Sequence, residues 1–126
     1  MKKILFIEDD PQLLELYTTP FQTGDFDIMT ERGGKDGLAK AKGFQPDIIL
    51  LDIMMSGMSG IEVLKHLKSD EYTATIPVIM LTNVSDAHTI DEAKKLGAQD
   101  YWYKHSISPK EIGKRVREFL HMPQTA

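Results

Sequence analysis

Short apolar runs alternate along the chain with longer segments of helical periodicity. Five runs have the length of a β-strand and are rich in β-branched or aromatic residues: 4–7, 26–29, 48–51, 78–81 and 101–103. Most of them do not alternate between apolar and polar residues, which is typical of strands covered on both faces, as in a parallel sheet. Successive runs begin about 20–30 residues apart, which leaves room for a crossover helix between them.

Side chains that cap helices precede three of the periodic segments. Asp10 stands before Pro11, and proline is favoured at the first position of a helix. Ser59 and Ser108 each lie three residues before a glutamate, which is the spacing of a capping box. Two apolar stripes follow these serines at helical spacing: Ile61, Leu64 and Leu67 in one, and Ile112, Val116, Phe119 and Leu120 in the other. The sequence therefore predicts a helix after each cap.

The segment 85–96 is the least apolar of the predicted helices. Its apolar positions reduce to Ile90, Ala93 and Leu96, which predicts a helix that docks shallowly on the sheet and ends at Gly97. Pro20 lies late in the first helix. We expect it to kink or end that helix, because proline has no N–H to donate.

Five strands alternating with five helices predict an α/β fold, a doubly wound parallel sheet with helices on both faces. A chain of 126 residues is the size of one domain. The sequence shows neither a repeat nor an internal linker. We therefore predict a single domain over residues 1–122 and assign residues 123–126 to a tail or to the start of a linker.

Composition narrows the classes of function. The formal net charge is −4, whereas proteins that bind duplex DNA are usually basic, so we expect no direct nucleic-acid contact by this chain. Cysteine is absent, which excludes disulfides, thiolate nucleophiles and thiolate metal sites. No apolar run approaches the roughly 18 residues of a membrane span, and the first run is too short for a signal peptide. These features are typical of a cytoplasmic protein without membrane contact.

Charged and hydroxyl side chains stand at the ends of the predicted strands. Glu8 and Asp9 follow the first strand, Asp52 follows the third, Thr82 follows the fourth and Lys104 follows the fifth. The carboxyl ends of parallel strands form the edge of the sheet at which ligands bind in this class of fold. Right-handed crossovers make the first and third strands neighbours. We therefore expect the three carboxylates to converge on one small patch.

A patch of carboxylates attracts a hard divalent cation, because the acids repel one another and resist losing their water. Mg²⁺ prefers oxygen ligands, accepts one or two protein carboxylates and fills its other positions with water and phosphate oxygens. Lys104 and Thr82 offer further groups to phosphoryl oxygens. Asp52 is the best-placed nucleophile, since carboxylates can carry phosphoryl groups as aspartyl phosphates. Lys104 would then neutralise charge that builds up in the transition state.

Each of these residues, taken singly, has a more ordinary explanation. An aspartate after a buried strand is more often a turn residue or a cap, and Asp10 is expected to cap the first helix. Thr82 alone fits a strand end, and Lys104 alone fits an edge residue. The functional interpretation is favoured because four strand ends supply complementary chemistry. Basic residues of the last helix are expected to form a solvated face or, less often, to contact an acidic partner: Lys110, Lys114, Arg115 and Arg117.

The sequence resembles the receiver domain of bacterial two-component response regulators. The resemblance covers essentially the whole chain and rests on the segments KILFIEDD (3–10), LLDIMM (50–55), LTN (81–83) and YWYK (101–104), in this order and at this spacing. It implies a flavodoxin-like sheet of strand order 2-1-3-4-5 with five flanking helices. The implied function is a phosphorylation-dependent signalling switch, which is not an enzyme but assists its own phosphorylation and dephosphorylation.

The resemblance implies that Mg²⁺ is bound at the ends of the first and third strands. Asp9 is the implied direct ligand together with Asp52, while Glu8 acts through water. Met54 stands two positions after Asp52 and would offer its backbone carbonyl, so the identity of its side chain is free to vary.

Asp52 is the implied phosphoacceptor, and its phosphoryl group would come from a histidine kinase or a phosphotransfer protein. Thr82 and Lys104 would bind phosphoryl oxygens. Phosphorylation would add a charge of about −1.5 to −2 at Asp52 and draw Thr82 toward the phosphoryl group. Tyr101 is the implied switch residue, whose side chain turns inward when Thr82 moves. The surface of the fourth helix, fifth strand and fifth helix would then change its contacts. Its partner would be a downstream protein or a fused effector domain, with a homodimer on activation left open.

Three positions depart from the pattern of the resembled family. His105 follows Lys104 where proline is usual, often with a cis bond; a cis bond without proline costs about 2.5–4 kcal/mol, so we expect a trans bond here. Ser56 also replaces a usual proline, which predicts a more flexible loop after Asp52. Asn83 replaces a usual small residue and is expected to narrow access to the phosphoryl group.

Three other functions remain open at this point. An aspartate-nucleophile phosphohydrolase commonly has a second acid two residues after the nucleophile, where this chain has Met54. A flavodoxin-type cofactor protein needs a glycine- and hydroxyl-rich loop after the first strand, where this chain has three acids. A receiver domain that has lost phosphorylation would act as a constitutive protein-binding module, and Asn83 and His105 keep that alternative open.

Overall fold

Strands and helices alternate five times along residues 1–124, the part of the chain that the computed structural model describes. The strands are β1 (Lys2–Ile7), β2 (Phe26–Glu31), β3 (Ile48–Leu51), β4 (Val78–Thr82) and β5 (Asp100–Tyr103). The helices are α1 (Pro11–Thr18), α2 (Gly34–Phe44), α3 (Gly60–Ser69), α4 (Ala87–Lys95) and α5 (Pro109–Phe119). Single turns of 3₁₀-helix follow α1 at Thr19–Phe21 and β5 at Lys104–Ser106. The five predicted strand–helix pairs are confirmed.

The five strands form one parallel sheet in the order β2-β1-β3-β4-β5. β1 and β3 are adjacent at the centre, with Ile7 opposite Leu51. β4 and β5 are adjacent at one side, with Thr82 opposite Tyr103. The predicted flavodoxin-like order is therefore confirmed, and the ends of four adjacent strands meet at the carboxyl edge of the sheet.

Each face of the sheet carries its own hydrophobic core, because successive side chains of a strand point to opposite faces. Phe6, Leu50 and Leu81 belong to the core under α1 and α5. Leu51 and Met80 belong to the core under α2, α3 and α4. The strand side chains of both cores are buried. This two-sided burial is the physical reason for the lack of polar alternation in the sequence.

Helix ends follow the capping residues predicted from the sequence. The Asp10 carboxylate accepts the N–H of Gln12 at 2.9 Å, and Ser59 and Ser108 cap α3 and α5 in the same way. α1 ends at Thr18, and Pro20 lies in the 3₁₀ turn that follows. These contacts fix where each helix leaves the carboxyl edge of the sheet.

The helices differ in how deeply they pack on the sheet. Ala93 is the one fully buried residue of α4, as its short apolar stripe predicts. In α3 the buried apolar residues are Val63, Leu64 and Leu67, whereas Ile61 is partly exposed. Ile61 packs against the same core as Leu64 and Leu67, so the predicted stripe is confirmed, and Val63 is a further buried residue that the helical spacing did not predict. Among residues 1–124, the helices are all too short or too polar to cross a bilayer.

The basic residues of α5 do not all face solvent. Lys110 and Lys114 are exposed, but Arg117 is only 2% exposed and binds Asp25, which precedes β2. The prediction of a solvated face was wrong for Arg117, because no local pattern shows that an acid 92 residues away lies beside it. At the predicted tail, the carbonyl of Pro123 accepts from Arg117. Residues 125 and 126 lie outside the described residues.

Candidate phosphoryl-transfer site

A small cavity of about 200 Å³ lies at the carboxyl edge of the sheet. Its lining contains every predicted site residue except Tyr101: Glu8, Asp9, Asp52, Met54, Thr82 and Lys104, together with Asp10, Leu13 and Asn83. Asp10 and Leu13 are additions from the first turn of α1, which begins directly after the acids of β1. The side chain of Met54 is 72% exposed at the rim.

Three of the four acidic residues that line this cavity form a close cluster. One oxygen each of Glu8, Asp9 and Asp52 lies within 4.8 Å of the others. The pairing of β1 with β3 brings these carboxylates together. This pairing continues one residue beyond β3, where the N–H of Asp52 donates to the carbonyl of Ile7 at 3.0 Å. Glu8 and Asp52 are 4% and 5% exposed. An all-oxygen donor set of this kind fits a hard cation such as Mg²⁺.

The Lys104 ammonium lies between two of the acids. Its Nζ donates to Asp52 Oδ2 at 3.0 Å and to Glu8 Oε1. Burial by itself lowers the pKa of Lys104, but the hydrogen bonds and charges of the two carboxylates outweigh it and raise that pKa above its usual value. Burial raises the pKa of Glu8 even though Lys104 acts in the opposite direction. One cation therefore does not compensate the buried negative charge.

Backbone N–H groups hold the other oxygens of the acids. The N–H of Ile53 donates to Asp52 Oδ1 at 2.7 Å. The N–H of Ser56 donates to Asp9 Oδ2 at 3.0 Å. Proline at position 56 would have no N–H to donate. The loop after Asp52 is therefore attached to the acids of β1 through an amide that exists because Ser56 is not proline.

Gly60 fixes the approach of α3 to the phosphoacceptor loop. Its N–H donates to the carbonyl of Ile53 at 2.8 Å. A Cβ atom at Gly60 would lie 2.0 Å from the carbonyl oxygen of Asp52, closer than any side chain allows. Glycine at this position therefore lets the first turn of α3 pack directly on the backbone of Asp52.

Thr82 and Tyr101 are linked through one residue of the β4–α4 loop. Thr82 is fully buried, and its Oγ1 accepts the N–H of Val84 at 3.3 Å. The hydroxyl of Tyr101 donates to the carbonyl of Val84 at 2.6 Å. Burial raises the pKa of Tyr101 to about 12, so the hydroxyl stays protonated and remains a donor at neutral pH. Displacement of this loop thus acts on both residues.

A family model described as the response regulator receiver domain matches residues 4–117. The chain belongs to this family. It is therefore a phosphorylation-dependent signalling domain of two-component systems, not a conventional enzyme. Receiver domains generally bind Mg²⁺, and the three clustered carboxylates are the residues of this chain that fit such an ion.

Curated relatives of this receiver domain are longer response regulators. It is 35% identical over 119 residues to the DNA-binding response regulator MtrA of Mycolicibacterium smegmatis, and the match covers 94% of this chain and 50% of that protein. It is 33% identical to the alkaline phosphatase synthesis transcriptional regulatory protein PhoP of Bacillus subtilis, covering 99% of this chain and 51% of PhoP. The chain spans about half the length of these relatives.

Solved structures of receiver proteins superpose over almost the whole domain. The chemotaxis protein CheY4 of Vibrio cholerae gives a TM-score of 0.84 at 25% identity, covering 94% of this chain and 98% of that one. The phosphorylated cyanobacterial phytochrome response regulator RcpA gives 0.78 at 28% identity, covering 94% and 90%. The Mn²⁺-bound form of response regulator Rcp1 gives 0.81 at 25% identity, covering 100% and 98%. The fold of this receiver domain is thus shared with both phosphorylated and metal-bound relatives.

Asn83 and His105 form a contact that the sequence does not predict. Each departs separately from the family pattern, yet Asn83 Oδ1 accepts the backbone N–H of His105 at 3.1 Å. The pairing of β4 with β5 brings their loops together, and only the absence of proline at 105 hinted that this N–H was free to donate. All peptide bonds of residues 1–124 are trans, as expected for Lys104–His105.

A larger groove of the receiver domain lies away from the clustered acids. It measures about 850 Å³, lies between α1 and α5, and includes Leu16, Pro20 and Gly113 in its lining. No carboxylate of the Glu8, Asp9 and Asp52 cluster lines it. The chemistry of this domain is therefore located by its charged side chains, not by the size of the cavity.

Proposed function

We propose that Asp52 accepts a phosphoryl group from a histidine kinase or a phosphotransfer protein. The observation that carries the proposal is the arrangement around Asp52. Its carboxylate is buried, shares Lys104 with Glu8 and lies within 4.8 Å of two further acids. These groups supply a nucleophile, a cation for phosphoryl oxygens and ligands for a metal ion at one point. The proposal thus gives Lys104 and each of the three clustered carboxylates a part in the reaction.

Asp9 and Asp52 would hold Mg²⁺ directly, with Glu8 acting through water and Met54 through its backbone carbonyl. The clustered oxygens support this assignment, since Mg²⁺ prefers oxygen ligands and keeps several waters. When bound, the ion would neutralise charge on the acids and on the phosphoryl oxygens. The exposed side chain of Met54 is compatible with a contribution from its backbone alone.

In the proposed transfer, an Asp52 carboxylate oxygen forms a bond to phosphorus while the bond from phosphorus to the donor nitrogen breaks. The electron pair of that bond returns to the donor imidazole. The hydrogen bond from Ile53 orients the carboxylate before the reaction. Lys104 donates a hydrogen bond to Asp52 Oδ2 before the reaction and would donate to a phosphoryl oxygen as negative charge develops there. Thr82 lines the same cavity and would donate its hydroxyl to a second phosphoryl oxygen. The domain thus assists its own phosphorylation by positioning these groups.

Phosphorylation would then change the surface formed by α4, β5 and α5. Movement of Thr82 toward the phosphoryl group displaces Val84, which also holds the Tyr101 hydroxyl. Shallow packing of α4 on Ala93 keeps the cost of its movement low. The partner of this surface would be a downstream protein, a fused effector domain or a second copy of the chain. We assign residues 1–122 to this domain and propose that it is cytoplasmic. Because the net charge of the chain is −4, we assign no nucleic-acid contact to it.

The deciding experiment is incubation of the protein with Mg²⁺ and acetyl phosphate, followed by intact mass and an NMR spectrum. We expect one phosphoryl group on the wild type, shifts that spread to α4 and β5, and neither change in Asp52→Asn. Asp36→Asn is the matched control, because Asp36 is an exposed aspartate on α2. Phosphorylation of Asp52→Asn would contradict the assignment. Rapid multiple turnover would indicate a phosphohydrolase, and no response would indicate a constitutive binding module.

A further inference from the structure

One hydrogen bond joins the two loops that carry Thr82 and Lys104. Asn83 Oδ1 accepts the N–H of His105 at 3.1 Å. Asn83 is the residue after Thr82, and His105 is the residue after Lys104. The bond therefore connects the immediate neighbours of the two groups that we assign to the phosphoryl oxygens. It also crosses from the end of β4 to the end of β5, which pair only up to Thr82 and Tyr103.

The 3₁₀ turn at Lys104–Ser106 depends on this bond for its cap. The first N–H groups of a helical turn have no acceptor inside the turn, and side chains normally supply one. Tyr103, which precedes the turn, makes no side-chain cap. Asn83 supplies the missing acceptor from the neighbouring loop. A turn of three residues has few hydrogen bonds of its own, so one external cap is a large share of its restraint.

We propose that Asn83 is a positioning residue, which caps the turn that begins at Lys104 and thereby holds the lysine ammonium against Asp52. The bond requires an N–H at position 105, so Asn83 and a residue other than proline at 105 act as a pair. The inference rests on the proposed function only for the effect on phosphorylation. Its structural part, the cap on His105, stands independently.

A double-mutant cycle isolates the contribution of this bond. Asn83→Ala removes the acceptor and His105→Pro removes the donor, whereas His105→Ala keeps the donor and is the matched control. We expect Asn83→Ala to slow phosphorylation by acetyl phosphate about two- to tenfold, the effect of one neutral hydrogen bond. His105→Ala should stay within about twofold of wild type, since it retains the same bond. In the His105→Pro background, adding Asn83→Ala should have no further effect, because the bond is already absent.

Amide hydrogen exchange at His105, measured by NMR, tests the cap without any phosphorylation. We expect faster exchange of this amide in Asn83→Ala than in the wild type. In His105→Ala, the amide of residue 105 should keep the same protection relative to its intrinsic exchange rate. The midpoint of thermal unfolding should stay the same in both variants, because both residues are exposed. Equal exchange rates would overturn the proposal. So would an equal loss of phosphorylation rate from Asn83→Ala in the wild-type and His105→Pro backgrounds. A wild type that is not phosphorylated would refute the proposed function, while the exchange rates would still decide whether Asn83 caps the turn.

Discussion

Two charged clusters lie at opposite ends of the sheet and are built from the same chemistry. At the carboxyl edge, Lys104 donates to Glu8 and Asp52. At the amino edge, Arg117 donates to both oxygens of Asp25, at 2.8 and 3.0 Å. The Lys104–Glu8 and Arg117–Asp25 pairs join residues 96 and 92 positions apart. Distance along the chain and the presence of an ion pair therefore do not distinguish a reactive cluster from a structural one.

Charge balance distinguishes the clusters. Two buried acids share one cation at the carboxyl edge, and burial raises the pKa of Glu8. One acid meets one cation at the amino edge, and the hydrogen bond from Arg117 holds the pKa of Asp25 well below its usual range. The number of acids on each cation therefore leaves an excess of negative charge in the first cluster and none in the second. Such an excess favours the binding of a cation.

The contacts of the two cations differ as well. Besides Asp25, the Arg117 guanidinium donates to Thr23 Oγ1 at 2.8 Å and to the carbonyl of Pro123 at 3.0 Å. It also lies 4.9 Å from the centre of the Phe26 ring. Hydrogen-bond acceptors and an aromatic ring thus surround the Arg117 guanidinium, which connects α5 to the start of β2. Within the described part of the chain, Lys104 instead donates only to the two carboxylates of its own cluster, in the cavity where a phosphoryl group can compete for its ammonium.

The largest expected effect comes from Lys104→Met, which removes the cation from the unbalanced cluster. We expect phosphorylation by acetyl phosphate to slow by about 100-fold, because a preorganised donor for the transferring group is lost. The rate is measured from intact mass over time. Arg117→Met is the control, and its rate should lie close to that of the wild type under conditions where it is folded. A rate for Lys104→Met within a few-fold of wild type would remove the proposed distinction between the clusters.

Arg117→Met should instead act on stability. We expect the free energy of unfolding to fall by about 2–3 kcal/mol, since all the hydrogen bonds of a buried arginine are lost. Urea denaturation followed by circular dichroism measures it. Arg115→Met, on the same helix but with a side chain 42% exposed, should change stability by less than about 0.5 kcal/mol. Equal losses of unfolding free energy in the two variants would show that the contacts of Arg117 do not contribute specifically to stability.

The smallest effect is the pH dependence of stability, which should have opposite signs in the two clusters. Because the pKa of Asp25 lies below its usual 3.8, its contribution is present above pH 3.8 and is lost as the pH falls through the lowered pKa. The pKa of Glu8 lies above its usual 4.5, so its contribution is complete below pH 4.5 and is lost as the pH rises through the raised pKa.

Denaturation of Asp25→Asn and Glu8→Gln across this pH range, in the presence of EDTA, measures the two contributions. The deficit of Asp25→Asn relative to the wild type should shrink toward low pH. The free energy of unfolding of Glu8→Gln should increase relative to that of the wild type as the pH rises to neutral. If the two differences changed with pH in the same direction, the opposite directions assigned to the pKa shifts of Glu8 and Asp25 would be wrong.

The fold was largely predictable because its signals are local. Caps such as Asp10 and Ser108 act on residues within one turn, and the apolar runs report two-sided burial directly. The failures have a shared cause. Val63 lies outside the predicted stripe of α3, and only its packing against the sheet shows that it is fully buried. In sequence, Arg117 cannot be distinguished from the other basic residues of α5, and only the tertiary structure places Asp25 beside it.

The candidate site was predictable to the extent that strand ends must meet at one edge of a parallel sheet. This rule places Asp52, Thr82 and Lys104 together once the strand order is known. It does not specify individual hydrogen bonds. The bonds from Ser56 to Asp9 and from His105 to Asn83 both use an N–H where the family pattern has proline. Ser56 was expected to loosen its loop and His105 to leave a trans bond, whereas each of these amides also makes a new contact.

Sequence alone determined the elements of this receiver domain, their capping residues and the acids, hydroxyl and lysine at the strand ends. Those features depend on interactions within a few residues and on the regular geometry of parallel strands. Tertiary structure alone decided the partner of each charge, and hence which cluster is balanced and which has an excess of negative charge. Such pairings depend on side-chain positions to within about an ångström, which packing sets and hydrophobic periodicity does not encode.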